Sequence, residues 1–251
     1  MTRCASSNEG LMRSRLLGGV DYASALRGLR HRRVNFSADE VSAPAWHFDT
    51  HRHHIALEHP GPPAPGGAWE SARELIRDYE FSPPEIVRAV YDRRSPLLGR
   101  DMLLEGRFHG ARFHMGVRVT AVTDEVRGNS QRVWGWSYET LEGHLERGRL
   151  SYEVVKNLRT GVVWFVIRGF SRVSPDVGPL LRLGWRLFGR RTQLRFYARC
   201  GARLRGLVRL RMAGVAITPN TFGESRLVLV PSGTRPGMGD RLGLRWHHPS
   251  T

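Results

Sequence analysis

Residues 113–122 read FHMGVRVTAV, and they alternate. Met115, Val117, Val119 and Ala121 form one set; His114, Gly116, Arg118 and Thr120 form the other. A period of two is what an extended chain with one buried face requires. The same logic extends outward to DMLLEGRFH (101–109), RVWGWSYET (132–140), RLSYEVVKN (149–157) and VVWFVIRGFS (162–171). The links HGA, DEVRGNSQ, LEGHLERG and LRTG are short and contain glycine. Successive strands joined this way make an antiparallel meander of about five or six strands.

After the last strand, Ser174-Pro175 supplies an N-cap with proline in the first turn. Val177, Leu180, Leu181, Gly184, Phe188, Leu194, Ala198, Gly201 and Leu204 then approximate one helical stripe, interrupted at Arg191. A helix over 176–207 would run ~48 Å, so a bend near Gly189 or two pieces is expected. Its stripe must be buried, and the apolar face of the meander is the surface available. The fold class is therefore α+β: a curved antiparallel meander packed against a long C-terminal helix.

Upstream, DYASALRGLRHRR (21–33) reads as a short helix with Leu26 and Leu29 on one side, and 34–50 as a connector. HRHHIALEH (51–59) reads as a strand, and PGPPAPGG excludes regular structure. AWESARELIRDY (68–79) is an amphipathic helix, closed before Pro83-Pro84, and Ile86 to Tyr91 a short strand. Beyond residue 212, turn residues dominate, with RLVLV (226–230) as an edge strand. The expected organisation is an N-terminal extension over 1–50, the α+β domain over 51–208 and a largely disordered tail over 209–251.

The 251 residues, 40% of them hydrophobic, suit one domain with extensions. The opening MTRCASSNEGLMRSRLLGGV lacks the uninterrupted apolar stretch of a secretory signal, and the most apolar run, VVWFVI, is strand length. A cytoplasmic protein is the expectation. Cys4 and Cys200 lie in no metal-ligand or redox spacing, and Cys200 reads as a small buried hydrophobe.

The formal charge of +16 raises the question of phosphate-bearing partners. Lys156 is the only lysine, so the excess is arginine, as a GC-rich coding bias would give. From residue 172 to 211 arginines face Asp176 alone. A solvated helix face is the plainer reading; nucleic acid or an anionic membrane surface is the alternative.

Several stretches resemble the DUF1990 family, also called UPF0548: PGGAWESARELIRDYEF (65–81), IVRAVYDRRSPLLGRDMLLEGRF (86–108), VWGWSYETLEGHLERG (133–148), FSRV and FGRRTQLRF. The resemblance covers roughly residues 20–208. It implies a helix-grip architecture of the START/Bet v 1-like kind, and it implies no established activity, cofactor or catalytic residue.

Three groups of candidate site residues stand out. Glu142, His144 and Glu146 alternate in the link after 140, where two carboxylates beside an imidazole would tune a base or hold a metal weakly. The plainer reading is a glycine-bracketed strand connection in which His144 makes a local hydrogen bond. Trp134, Trp136 and Tyr138 share a strand face, near Tyr152 and Trp164, and would line a cavity between sheet and helix or simply pack the core. Arg107 and Arg118 would anchor a polar group if they faced inward. Histidines 47, 51, 53, 54 and 59 form a run with no H-E-x-x-H helix beside it, so no metal is assigned. Neither Walker A, G-x-G-x-x-G nor G-x-S-x-G occurs, and no cofactor is expected. The leading function is a binding module for a small apolar or amphipathic ligand; an enzyme using Glu142, His144 and Glu146, and a basic surface module, are the alternatives.

Overall fold

The computed structural model describes residues 20–42, 44–108, 111–175, 189–221, 226–233 and 244–247. In chain order the elements are α1 (Tyr22–Leu29), β1 (His47–Leu57), α2 (Ala68–Arg77), β2 (Val87–Asp92), β3 (Asp101–Phe108), β4 (Ala111–Arg127), β5 (Gln131–Thr140), β6 (Glu146–Asn157), β7 (Val162–Val173), α3 (Arg190–Met212), β8 (Asn220–Thr221), β9 (Leu227–Val230) and β10 (Leu244–His247). Strands β2 to β7 form an antiparallel meander in sequence order. β1 adds beside β7 at one edge, and β9 then β8 beside β2 at the other. β10 makes a short parallel pairing with β4.

One face of the sheet, the inner face, carries α2 and α3. Met115, Val117 and Val119 meet Trp136, Tyr152, Phe165 and Ile167 there, with Trp69, Leu75 and Ile76 of α2 and Phe196, Tyr197, Cys200, Leu204 and Val208 of α3. Fully burying one such side chain contributes ~1.5–3 kcal/mol, so this layer dominates stability. α1 covers the outer face, where Ala25, Leu26 and Leu29 pack on Leu103, Val90 and Leu229. Gly116 lets it approach: a β-carbon there would overlap the Leu29 side chain.

Alternation in β4 breaks at a bulge. Val119 pairs with Tyr138 but Ala121 with Ser137 and Val122 with Trp136, so Ala121 joins the outer set rather than that of Met115. One extra residue reverses the parity of everything after it.

α2 is held at both ends. Glu58, just past β1, accepts the Trp69 N–H at its N-terminus at 2.8 Å, where negative charge also favours the helix dipole. Glu58 in turn takes Lys156 Nζ at 2.7 Å, both side chains being buried. At the C-terminus, the Tyr79 N–H reaches the Ile76 carbonyl and the Glu80 N–H that of Leu75. That is a Schellman closure.

Four expectations are corrected. β1 begins at His47, inside the stretch read as connector. Of the helical stripe drawn from Val177, Gly201 and Leu204 do face the sheet, but Leu194 and Ala198 are exposed, and Phe196, Tyr197 and Cys200 take inward positions that the stripe left out. Residues 176–188 of the expected helix lie outside the described residues, and α3 runs on to Met212. The stretch expected to be a largely disordered tail contributes three strands; β9 falls on the RLVLV read as an edge strand, but it is flanked by β2 and β8, and its Val228, Leu229 and Val230 are buried.

Candidate functional site

Where β5, β6 and β7 meet the start of α3, the inner face carries small residues. Thr140, Gly148 and Ser171 stand in adjoining strands, with Tyr138 and Leu150 behind them. Gly148 has no alternative, since a β-carbon there would run into the Phe170 carbonyl. The result is a cleft of about 50 Å³, bounded also by His144, Glu146, Arg149, Phe170, Gln193 and Tyr197.

The rim is pinned by hydrogen bonds. Arg190, in the first turn of α3, reaches Asp49 of β1 at 2.6 Å and Gln193 at 2.8 Å. The Gln193 amide donates to Ser171 Oγ at 3.2 Å. On the far side the Thr140 hydroxyl donates to Asn35 Oδ1 at 2.6 Å and accepts the Gly148 N–H at 2.9 Å.

His144 sits in this rim, 7% exposed. Its Nδ1 accepts the backbone N–H of Glu146 at 2.9 Å, so the proton of the neutral ring is on Nε2. A ring in that state donates; it has no lone pair left for base catalysis. Protonating Nδ1 would set two N–H groups against each other. Glu142 points elsewhere: it is exposed, and it ties the loop to the connector, accepting the Arg33 N–H at 3.2 Å. Gly143 makes the turn at φ 80°.

Behind Tyr138 lies a phenolic interior. Tyr138 and Tyr152 hydroxyls are 3.5 Å apart, and Tyr79 stacks its ring edge toward Tyr152 at 6.0 Å between centroids. Burial pushes all three phenols upward in pKa, and Tyr197 likewise, so they stay neutral donors. Burial also pushes the Cys200 thiol well up, which leaves it inert.

Of the residues singled out in sequence, Tyr138, His144 and Glu146 line the cleft together. Trp136 and Tyr152 are core beneath it, Trp136 donating its indole N–H to the Ile76 carbonyl at 3.0 Å. Trp134 packs farther along the same face, opposite Val154. Trp164 is corrected: it pairs with Val155 and His54 on the outer face, under Arg52. Arg118 also faces outward, bound to Asp101 at 2.7 Å and to the Leu29 carbonyl at 2.8 Å, where it caps α1. Arg107 lies on that face as well and donates to the Pro84 carbonyl. Gln193, Tyr197, Ser171 and Thr140 were missed; their nearness is a product of topology with no local motif to announce it.

His51 and His53 lie on the inner side of β1 beneath α3, the rings stacked 6.5 Å apart. Burial, with His51 and Arg205 nearby, lowers the His53 pKa. Among the described residues no group of three or more His, Cys, Asp or Glu could hold a metal ion, and no helix is long and apolar enough to cross a membrane. The arginines of α3 are largely engaged: Arg199 with Glu85, Arg211 with Glu74, Arg203 with the Glu80 carbonyl and Arg205 with that of His54.

The model of a domain of unknown function, DUF1990, matches residues 31–203. No curated protein matches the chain. Among solved structures it is similar to hypothetical protein jhp0584 from Helicobacter pylori, at 10% identity over 69% of this chain and 95% of that one, with a TM-score of 0.45. It is also similar to Zhui aromatase/cyclase from Streptomyces sp. R1128, at 15% identity over 68% and 100%, with a TM-score of 0.43. For ginseng major latex-like protein 151 from Panax ginseng the values are 10%, 64%, 97% and 0.38.

Proposed function

The chain belongs to the DUF1990 family, and on that footing we propose that it is a binding module for a small amphipathic ligand, held at the cleft between the meander and the start of α3. The observation that carries this reading is the cleft itself, where small residues on three strands leave space under a rim pinned by Arg190 and Gln193. Leu150 offers apolar contact, while Tyr138, Tyr197 and Gln193 offer polar contact. At about 50 Å³ the cleft admits the head of a ligand, well short of the ~300 Å³ that encloses a whole drug-sized molecule. The remainder would lie across the mouth.

Catalysis by the Glu142, His144 and Glu146 loop fits less well. Glu142 faces solvent, and His144 spends its one basic nitrogen on the backbone. A basic surface is a second reading, favoured by Arg191, Arg195 and Arg209 standing exposed on α3 beside Leu194, Leu210 and Met212; sedimentation with anionic against neutral vesicles tests it.

Native mass spectrometry of the purified protein tests the leading reading. A small molecule should be retained by the wild type and lost from Ser171→Leu, which fills the cleft from its floor. Equal retention by that variant, at matched stability, would sink the assignment to this cleft.

A further inference from the structure

The strand pair β8–β9 is fastened to the rest of the domain at a point where the protons can be counted. Glu80, 1% exposed, follows the closure of α2. Its Oε2 accepts the Ser232 N–H at 2.7 Å. Its Oε1 lies 2.6 Å from Ser232 Oγ, and that same Oγ lies 2.5 Å from the Thr218 carbonyl oxygen. Thr218 precedes β8 and Ser232 follows β9, so both ends of the pair are drawn to one carboxyl group.

A serine hydroxyl has one hydrogen, and a carbonyl oxygen only accepts. The hydrogen between Ser232 and Thr218 therefore comes from the serine. The 2.6 Å contact needs a hydrogen of its own, and the carboxyl group is the partner that can supply it. An ionised Glu80 would press two acceptors together around a group that water does not reach. With Glu80 as the neutral acid the account closes. Oε1–H donates to Ser232 Oγ, Ser232 Oγ–H donates to Thr218, and the Ser232 N–H donates to Oε2.

The surroundings agree. Burial, foremost, raises the Glu80 pKa and Asp78 adds to it, while Ser232 and Arg203 of α3 pull the other way without prevailing. Arg203 gives its Nε to the Glu80 backbone carbonyl at 2.8 Å rather than to the carboxyl group. From β2, the Tyr91 phenol is itself pushed upward, chiefly by burial, and brings no charge.

We propose that Glu80 is a proton-operated latch on the C-terminal strands. As the neutral acid it clasps Ser232 and holds β8 and β9 against β2; as the carboxylate it lets them go. Release would uncover the backbone of residues 89–92, where β9 now pairs, as an open sheet edge of the kind that takes up another strand. Glutamine would make the same bonds, with one N–H left over, and could not open with pH. The latch is independent of the ligand-binding reading and survives its failure.

Hydrogen exchange at the Val228, Leu229 and Val230 amides, corrected for the intrinsic pH dependence of exchange, reads the opening of β9. One proton leaves on opening. The wild-type opening constant should therefore rise about tenfold per pH unit between the ordinary carboxylate value and the raised one, then level off. The amides of Trp136 and Tyr138 in β5 should stay closed meanwhile. Infrared spectra should show a protonated carboxyl band that is lost over the same range. Glu80→Gln should abolish both the slope and the band. Ser232→Ala removes the oxygen that accepts the proton, so the band should vanish at lower pH than in the wild type; were the serine the donor, it would persist to higher pH. That variant, at a half-buried position, serves if Glu80→Gln fails to fold. Any of four results overturns the latch: equal pH dependence in wild type and Glu80→Gln, no carboxyl band above the ordinary carboxylate value, a band that persists to higher pH in Ser232→Ala, or β9 opening only together with β5.

Discussion

Gly201 of α3 lies against the imidazole of His53 on β1 with no room between them for a β-carbon. This contact sets how closely the C-terminal helix approaches the sheet edge, and it gives one helix two glycines of opposite character. Gly206, five residues on, has nothing within 4 Å of where a β-carbon would stand. Gly206→Ala should stabilise by roughly 0.5–1 kcal/mol, the ordinary helix-propensity gain. Gly201→Ala should instead destabilise by roughly 1–3 kcal/mol, since overpacking outweighs propensity. Urea denaturation of the two variants makes the comparison, and His53→Ala should restore much of the loss in Gly201→Ala.

The His144 ring closes its own loop by accepting the Glu146 N–H. His144→Ala should lower stability by about 1 kcal/mol. His144→Asn, whose side-chain oxygen can accept a backbone N–H nearby, should lose less. Equal losses in the two variants would mean that the ring matters for packing rather than for its nitrogen.

Two buried carboxylates should titrate with opposite effect. Burial raises the Glu80 pKa despite its bonds with Ser232, so the native state holds that proton to higher pH than the unfolded chain does. Its contribution is full below the unfolded value and is lost as pH rises through the raised folded value. For Glu105, burial pushes upward, but His114, Arg88 and Arg112 prevail and the pKa falls. Its contribution is present above the ordinary carboxylate value and is lost as pH falls through the lowered one. Glu80→Gln should flatten the decline on the rising side. Glu105→Gln should flatten the acid limb and cost roughly 1–3 kcal/mol near neutrality, where buried partners lose their acceptor. Stability curves measured against pH check both signs.

Lys156 and Glu58 form a buried pair that also organises the start of α2, because Glu58 accepts the Trp69 N–H and Lys156 donates to the Pro62 carbonyl at 2.8 Å. Lys156→Met should cost roughly 3–5 kcal/mol by leaving a buried carboxylate without its counter-charge. The double variant Lys156→Met/Glu58→Gln should recover part of that. A loss below 1 kcal/mol in the single variant, read by thermal or urea denaturation, would contradict the burial of the pair.

The meander was legible because period-two patterning survives in each strand and its glycine links are short. What patterning cannot say is which face is covered by what. Here both faces are covered, so Arg118 and Trp164 share strands with core residues yet look outward, toward α1 and Arg52. The bulge between Val119 and Ala121 is equally silent in the sequence. α3 was expected, and Gly201 and Leu204 of its stripe face the sheet, but Leu194 and Ala198 do not, because Phe196, Tyr197 and Cys200 hold the inward positions. The cleft was half legible. Tyr138, His144 and Glu146 are local neighbours; Ser171, Gln193 and Tyr197 arrive from strands and a helix that only tertiary pairing brings near.

The seclusion of Lys156 has a chemical corollary. With a single lysine in the sequence and that one 1% exposed, the folded domain offers no side-chain amine to acylating reagents, amine cross-linkers or ubiquitin-transferring enzymes. A lysine-specific endoproteinase has one bond to cut, between Lys156 and Asn157, inside the ladder of β6 with β5 and β7. Native protein should therefore resist such an enzyme and then split into two fragments once that ladder opens. The rate of that single cut becomes a readout of how often the end of β6, beside its turn into β7, comes away from its neighbours.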